Sequence, residues 1–354
     1  SVVEASYTQQ VEGVPELPSA LLEDFVWQEP MEAHVVPQEW SERWLRRQVE
    51  AVDDSYGPPI LAGELDQTRG GSGLIEDQSN CPFRAFAKHR LKSLPLAEVH
   101  VAISAADRGS VLHNALYALW GDLENSTTLS AMPEPELEQL VTRAVTSALG
   151  DVKRSLWLSV DGSFWDIERK RLEQLLKEWL LVEKQREPFV VCAREESVEL
   201  VVSGLPLRLR VDRIDQLADG SKAVIDYKSG RSYLRDWLGE RPSKPQLPLY
   251  IGALAETPGA LSFAQVRSRD CKYVGVGANQ IMPKFMTDIP KAVRGKMPAQ
   301  DWDQLCTLWQ DSLATLADGY INGDAQVDPL SPGSCNWCGQ QVLCRIGQQP
   351  AGAS

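Results

Sequence analysis

No stretch of this 354-residue chain approaches the roughly 20 consecutive apolar residues of a membrane span. No secretory leader opens it either, so a cytoplasmic protein without a membrane segment is expected. It starts on Ser1 instead of methionine, which predicts excision from a longer chain with a further region upstream. A Walker A sequence, a dinucleotide-binding glycine fingerprint and internal repeats are all missing. Those absences argue against phosphate-loop nucleotide hydrolysis, Rossmann-type cofactor binding and solenoid folds. The seven cysteines are odd in number and come without a secretory signal, which argues against a disulfide framework.

Basic charge is in deficit as well. Lys and Arg number 36 against 49 Asp and Glu, a net charge of −13. Taken globally, that speaks against a nucleic-acid partner. The distribution reverses the reading. Residues 1–66 carry 14 acids against Arg43, Arg46 and Arg47, a net of −11, which leaves −2 for the rest. In that near-neutral body the cations cluster: "RAFAKHRLK" from Arg84, the group Lys228, Arg231, Arg235, Arg241 and Lys244, and the group Arg267, Arg269 and Lys272. Such clusters suit a phosphate-lined groove, and they equally describe a solvated surface.

With 43 % hydrophobic and 24 % charged residues the chain is globular. Residues 1–72 are rich in acid and proline, with one helix at "PQEWSERWLRRQVEAV" and a glycine-rich flexible joint at "RGGSG". The main domain is expected over 73–354. "SGLIEDQSNCPFRAFAKHRL" opens it as a short helix. "DRGSVLHNALYALWGDL", "EPELEQLVTRAVTSAL" and "SFWDIERKRLEQLLKEWLLVEKQ" repeat apolar residues at helical spacing. The pattern then turns to period two in "ESVELVVSG", "LPLRLRVDRIDQL" and "SKAVIDYKSG", joined by "SGLP" and "ADGS" turns. A helix at "QLPLYIGALAE", strands at "ALSFAQVR" and "KYVGVG", a long helix from "DWDQL" and a Cys-rich tail complete the chain. This order predicts an α/β fold with a mixed sheet flanked by helices.

One hairpin concentrates the chemistry. A three-residue loop "ADG" with left-handed Gly220 pairs Leu217 with Ser221, and the same register sets Asp226 across from Asp212. Lys228 lies two residues beyond Asp226, on the same face of the strand, while Ile225 and Tyr227 point to the other. Adjacent carboxylates repel unless a cation separates them. Mg²⁺ takes oxygen ligands, polarises a phosphodiester and acidifies water, and a lysine stabilises developing negative charge. An incidental Asp–Lys pair on a surface hairpin fits the same pattern. Asp215, three residues past Asp212, faces away and reads as a structural acid.

"VDRID", "VIDYKSG" and "QLPLY", with "RGSVLHNAL" upstream, resemble the RecB/AddB-type nuclease branch of the PD-(D/E)XK superfamily, in matching order over residues 74–346. The resemblance implies a restriction-endonuclease-like core carrying a helical insertion. It implies catalytic roles for Asp212, Asp226 and Lys228, metal binding by His113, Asp212 and Asp226, and an active-site border that meets DNA at Gln246 and Tyr250. It further implies a Mg²⁺- or Mn²⁺-dependent deoxyribonuclease acting in DNA repair or recombination, an inactive helicase-like region upstream in the same chain, and a UvrD-like helicase as partner. "CNWCGQQVLC" gives C-x2-C-x5-C through Cys335, Cys338 and Cys344, and "NCPFRAF" offers Cys81. One cysteine before the nuclease core and three after it resemble the 4Fe-4S clip of AddB-type nucleases. Thiolates also suit zinc, but a zinc ribbon shows two paired knuckles and this sequence has one. Other readings are a catalytically inactive DNA-binding or scaffold module of a helicase–nuclease complex, and an RNA-processing or junction nuclease on the same core.

Overall fold

A computed structural model describes residues 10–11, 14–15, 22, 55–65, 70–94, 103–155, 162–278, 282 and 284–346. The chain forms two compact units, Ser1–Val52 and Asp53–Ser354. Within the first, Gln10–Val11 and Val14–Pro15 pair antiparallel. The helix expected over residues 37–52 lies outside the described residues.

The second unit contains helices α1 (Ser72–Asn80), α2 (Ala105–Leu123), α3 (Glu134–Ser155), α4 (Gly162–Glu183), α5 (Gln246–Ala253) and α6 (Trp302–Ile321). Its strands are β1 (Phe189–Val202), β2 (Leu205–Leu217), β3 (Lys222–Lys228), β4 (Ala260–Gln265) and β5 (Lys272–Gly277). Among the described residues they form one sheet in the order β1-β2-β3-β4-β5. The neighbours run antiparallel except β3 and β4, which run parallel and are joined through α5. A parallel pair needs such a crossover, and "QLPLYIGA" supplies it. The mixed, helix-flanked sheet is the expected one.

Helices cover both faces. Leu112 of α2, Val141 of α3 and Leu176 of α4 share a core with Ala223, Ile225 and Tyr227 of β3. Leu74 of α1, Tyr250 of α5 and Trp309 of α6 share the opposite core with Val224. The central strand is therefore buried on both faces, as parallel pairing favours. A capping box starts α2: Asp107 N–H donates to Ser104 Oγ at 3.1 Å, and Ser104 N–H donates to the Asp107 carboxylate at 2.8 Å.

The β2–β3 hairpin has the expected register, from Gln216 opposite Lys222 to Arg213 opposite Ile225. Gly220 takes φ +86°, and Leu217 N–H donates to Ser221 C=O at 2.9 Å. The ladder stops one pair short of Asp212 and Asp226.

Two stretches at the start of the domain bond to distant residues. Residues 55–65, grouped with the lead-in by composition, bond into the second unit: Gly57 N–H donates to Gly323 C=O at 2.7 Å and Ile60 N–H to Ile321 C=O at 2.8 Å. Within the glycine-rich stretch, Gly70 is anchored as well. Gly70 pairs in parallel with Leu207 and accepts from Arg208 N–H at 2.8 Å. A Cβ at Gly70 would sit 2.7 Å from Leu74 Cδ1, so glycine here permits a close approach. Composition cannot show backbone pairing with residues more than a hundred positions away.

Beneath the hairpin lies a neutral quartet of buried charges. Arg213 Nη1 meets Glu183 Oε1 at 2.9 Å and its Nε meets Asp215 Oδ1 at 2.6 Å. Arg186 Nη1 reaches Glu183 Oε2 at 2.9 Å and Asp215 Oδ2 at 2.8 Å. Tyr273 donates to Glu183 at 2.8 Å, and the Arg213 guanidinium stacks 3.8 Å from the Trp120 ring centroid. Asp215 is thus the structural acid expected. Asp215→Ala would strand two buried cations and should lower unfolding stability by about 3–5 kcal/mol. Urea denaturation reads this, and a loss below about 1 kcal/mol, the level of a surface pair, would contradict it.

Candidate active site

Asp212 and Asp226 sit where the β2–β3 ladder has opened. Tyr227 N–H donates to the Asp212 carboxylate at 2.8 Å, so a side chain replaces the backbone partner. Asp212 is 7 % exposed and Asp226 is fully buried. Lys228 Nζ stands 2.7 Å from Asp226 Oδ2. No hydrogen-bond donor reaches Asp226 Oδ1 among the described residues. Burial pushes the Asp226 carboxyl up to about 6; Lys228 pulls it down and Asp212 pushes it further up.

Lys228 is held from a second side. It donates to Gln246 Oε1 at 2.9 Å, Gln246 Nε2 donates to the Tyr250 hydroxyl at 3.2 Å, and Tyr250 donates to the Arg210 carbonyl at 2.7 Å. Gln246 and Tyr250 are four residues apart on α5 and so share a helix face. The spacing "QLPLY" therefore has a mechanical meaning: it aims an amide at the lysine and braces that amide on β2.

His113 projects from α2 to the same place. Its Nε2 donates to the Tyr227 carbonyl at 3.0 Å, which leaves Nδ1 facing Asp212 at 3.4 Å and Glu195 at 3.7 Å. Burial opposes a charge on the ring, but Asp212 and Glu195 outweigh it and raise its pKa to about 10. In the absence of metal the imidazolium supplies part of the positive charge that the acids call for.

Glu195 is the residue that sequence reasoning missed. It lies on β1, between the pairs Arg194–Arg213 and Glu196–Val211, and therefore opposite Asp212. Its φ is +50°, a left-handed conformation uncommon for a side chain of this kind, and a register shift precedes it between Val191 and Ala193. Its carboxylate also pairs with Arg210 at 2.5 Å. "AREESVEL" contains three acids, and nothing local distinguishes this one.

Donor atoms of His113, Glu195 and Asp212 all lie within 4.8 Å of one another. Two carboxylates and an imidazole match the donors a divalent cation takes in a mixed oxygen–nitrogen site, and the unpartnered Asp226 oxygen stands behind them. The group opens to a cleft of about 570 Å³ lined by Ser72, Gly109, His113, Arg208 and Arg210, among others. The cleft carries two arginines, Arg208 paired with Glu199 at 3.0 Å and Arg210 with Glu195, beside a candidate place for a metal.

Cys81, Cys335, Cys338 and Cys344 lie elsewhere, and among the described residues no three of their thiols come within 4.8 Å of one another. Cys81 follows α1, and the tail docks against it: Phe83 N–H donates to Gln326 C=O at 2.9 Å and Leu330 N–H to Asn80 C=O at 2.8 Å. Burial pushes the Cys81 thiol up, and Cys338 adds to this. Burial likewise raises Cys335, with Cys338 and Cys344 contributing. The four thiols are half-buried and none is in a disulfide.

The family model of the PD-(D/E)XK nuclease superfamily matches residues 74–345. The chain belongs to that superfamily. The PD-(D/E)XK match covers the whole sheet, the helices α2 to α6, and the cysteine tail. A stretch of 84 residues is 34 % identical to one of the subunits of the ATP-dependent helicase/deoxyribonuclease of Streptococcus mutans serotype c. That stretch is 23 % of this chain and spans 8 % of the relative. The solved structure of SSO0001 aligns over 78 % of this chain and 96 % of its own, at 14 % identity and a TM-score of 0.29. Among the described residues of this PD-(D/E)XK chain no helix is long and apolar enough to cross a membrane.

Asp226 makes the metal-free site sensitive to pH. A carboxyl whose folded pKa exceeds its unfolded value binds its proton more tightly when folded, so its stabilising effect fades as pH rises through that interval. Here the interval runs from 3.8 to about 6. Asp226→Asn should flatten the fall in melting temperature across it, measured in EDTA, and should raise the melting temperature near pH 7. A parallel downward offset at every pH would overturn this reading.

Proposed function

We propose that the chain is a Mg²⁺- or Mn²⁺-dependent deoxyribonuclease. One observation carries the reading: a buried carboxylate, with one oxygen on a lysine and the other without a donor among the described residues, stands behind a three-donor cation cluster at the floor of an open cleft. Asp212, Asp226 and His113 would hold the cation, joined by Glu195. A divalent cation there would neutralise charge on the phosphodiester and acidify a water. Lys228, held between Asp226 and Gln246, orients the attacking water and meets the charge that develops on the phosphate oxygens. The water oxygen bonds to phosphorus as the ester oxygen leaves and takes up a proton. Tyr250 and Gln246 act through Lys228 and border the DNA path. Arg208 and Arg210 at the cleft meet flanking phosphates.

The family membership supports hydrolysis over a scaffold role, because Asp212, Asp226 and Lys228 are all present. The name of the partly matching relative supports a place beside a helicase, and the work of the pair would be DNA repair or recombination. Residues 73–354 would be the nuclease domain, with the helicase-like region upstream and a UvrD-like helicase as partner. Cys81, Cys335, Cys338 and Cys344 would hold a 4Fe-4S cluster, with zinc the lesser fit. Such a clip would staple the beginning of the domain to its end and close a loop of more than 250 residues.

Cleavage of single-stranded and duplex DNA with Mg²⁺ or Mn²⁺ tests the catalytic part. Asp226→Ala and Lys228→Ala should each lower kcat by at least about 100-fold, the scale of one oriented transition-state contact. Equal activity in parent and variants, or none in any, overturns the assignment. Visible absorption after oxygen-free purification tests the clip: a brown protein that bleaches in Cys338→Ala is expected, and a colourless one with stoichiometric zinc would sink the cluster.

A further inference from the structure

The cysteine tail displays apolar surface that cleavage does not use. Trp337 is 90 % exposed and Val342 is 88 % exposed. Cys338 N–H closes a turn on the Cys335 carbonyl at 3.2 Å, so Asn336 and Trp337 form its two corners. The flanking thiols turn partly inward while the indole stands in water. A clip that only binds a metal group has no need of an indole at that corner.

Two cations lie on the tail or on the segment bonded to it. The buried Gln340 amide donates to the Ser93 carbonyl at 2.8 Å and accepts from Ser93 Oγ at 3.1 Å, which seats Lys92 against the tail. Lys92 and Arg345 are exposed, and neither forms an ion pair among the described residues. The tail is also near the cleft. Ser72 and Gly73 at the start of α1 line the cleft, and Cys81 follows its last residue. The nine residues of α1 rise roughly 13 Å at 1.5 Å each. A strand with one phosphate in the cleft covers that distance in about four nucleotides at 3.4 Å apiece.

We propose that the tail is a second contact for single-stranded DNA, where Trp337 stacks on a base and Lys92 and Arg345 meet the adjoining phosphates. The proposal rests on the reading of the chain as a DNA nuclease. Stacking needs an unpaired base, and an exposed aromatic with exposed cations on the same segment is the usual platform for one. An exposed indole also suits a protein partner, but the unpaired cations and the short path from the cleft favour a nucleic-acid strand.

Binding of fluorescein-labelled oligo(dT) to the full chain, followed by anisotropy in EDTA, tests this apart from cleavage. Trp337→Ala should weaken binding of an eight-nucleotide strand roughly tenfold, the scale of one lost base stack. It should leave a two-nucleotide strand unaffected, because that strand cannot span α1. Trp337→Phe should restore most of the affinity, and Lys92→Glu with Arg345→Glu should weaken the longer strand and flatten its salt dependence. These two variants keep the test sharp if Trp337→Ala misfolds. Unchanged affinity for the longer strand in all three, or equal losses for both lengths, overturns the proposal. So does unchanged DNA binding in a Trp337→Ala protein that loses a helicase partner, which would make the tail a protein-docking surface. If the parent cuts no DNA but the length-dependent loss appears, the nuclease reading fails and this contact stands.

Discussion

The hairpin between β2 and β3 holds its backbone ladder from Gln216–Lys222 to Arg213–Ile225 and then gives it up. At the next position the Asp212 carboxylate takes the Tyr227 N–H in place of a carbonyl. The rest of the site depends on that substitution. It fixes the Asp212 carboxylate by its neighbour's backbone, and it leaves the Tyr227 carbonyl to receive His113 from α2. Tyr227 thereby joins a helix, two strands and the buried charges beneath, since its hydroxyl accepts from Arg213 at 3.2 Å. Opening a ladder over a buried site costs hydrogen bonds unless side chains replace them, and here they do.

The charges arrange themselves in two layers. Below, Glu183, Arg186, Arg213 and Asp215 cancel one another within hydrogen-bond distance and leave no net charge in the core. Above, Asp212, Asp226 and Glu195 face Lys228, His113 and the Arg210 that pairs with Glu195, and Asp226 Oδ1 is left without a donor among the described residues. Burial raises the Asp226 carboxyl, and the neighbouring acids Asp212 and Glu195 raise the His113 imidazole. Satisfied charges build the scaffold, and one unsatisfied carboxylate oxygen is kept where ligand chemistry can use it.

Much of this was legible from local pattern. Gly220 set the hairpin register, and with it the approach of Asp212 to Asp226. The i, i+4 spacing of Gln246 and Tyr250 placed both on one helix face. The surprises all depend on segments distant in sequence. Glu195 enters the site because β1 shifts register and turns left-handed opposite Asp212. Gly70 docks on Leu207, and residues 55–65 bond to the end of α6. Composition reads such stretches as linker because it carries no information about which backbone lies alongside.

Residue type and spacing by themselves determined the chemical inventory: an acid pair with a lysine two residues on, a glutamine and tyrosine one helical turn apart, a lone histidine on an amphipathic helix, and four cysteines bracketing the core. Periodicity determined the elements that carry them, because side-chain direction follows from φ and ψ. Only the tertiary structure decided which of these groups share a cavity. It buried Asp226 completely, supplied Glu195 from a strand edge, braced Lys228 from α5 and set Trp337 in water. Those outcomes follow from packing helices on both faces of the sheet, and packing is a relation between segments that no single segment encodes.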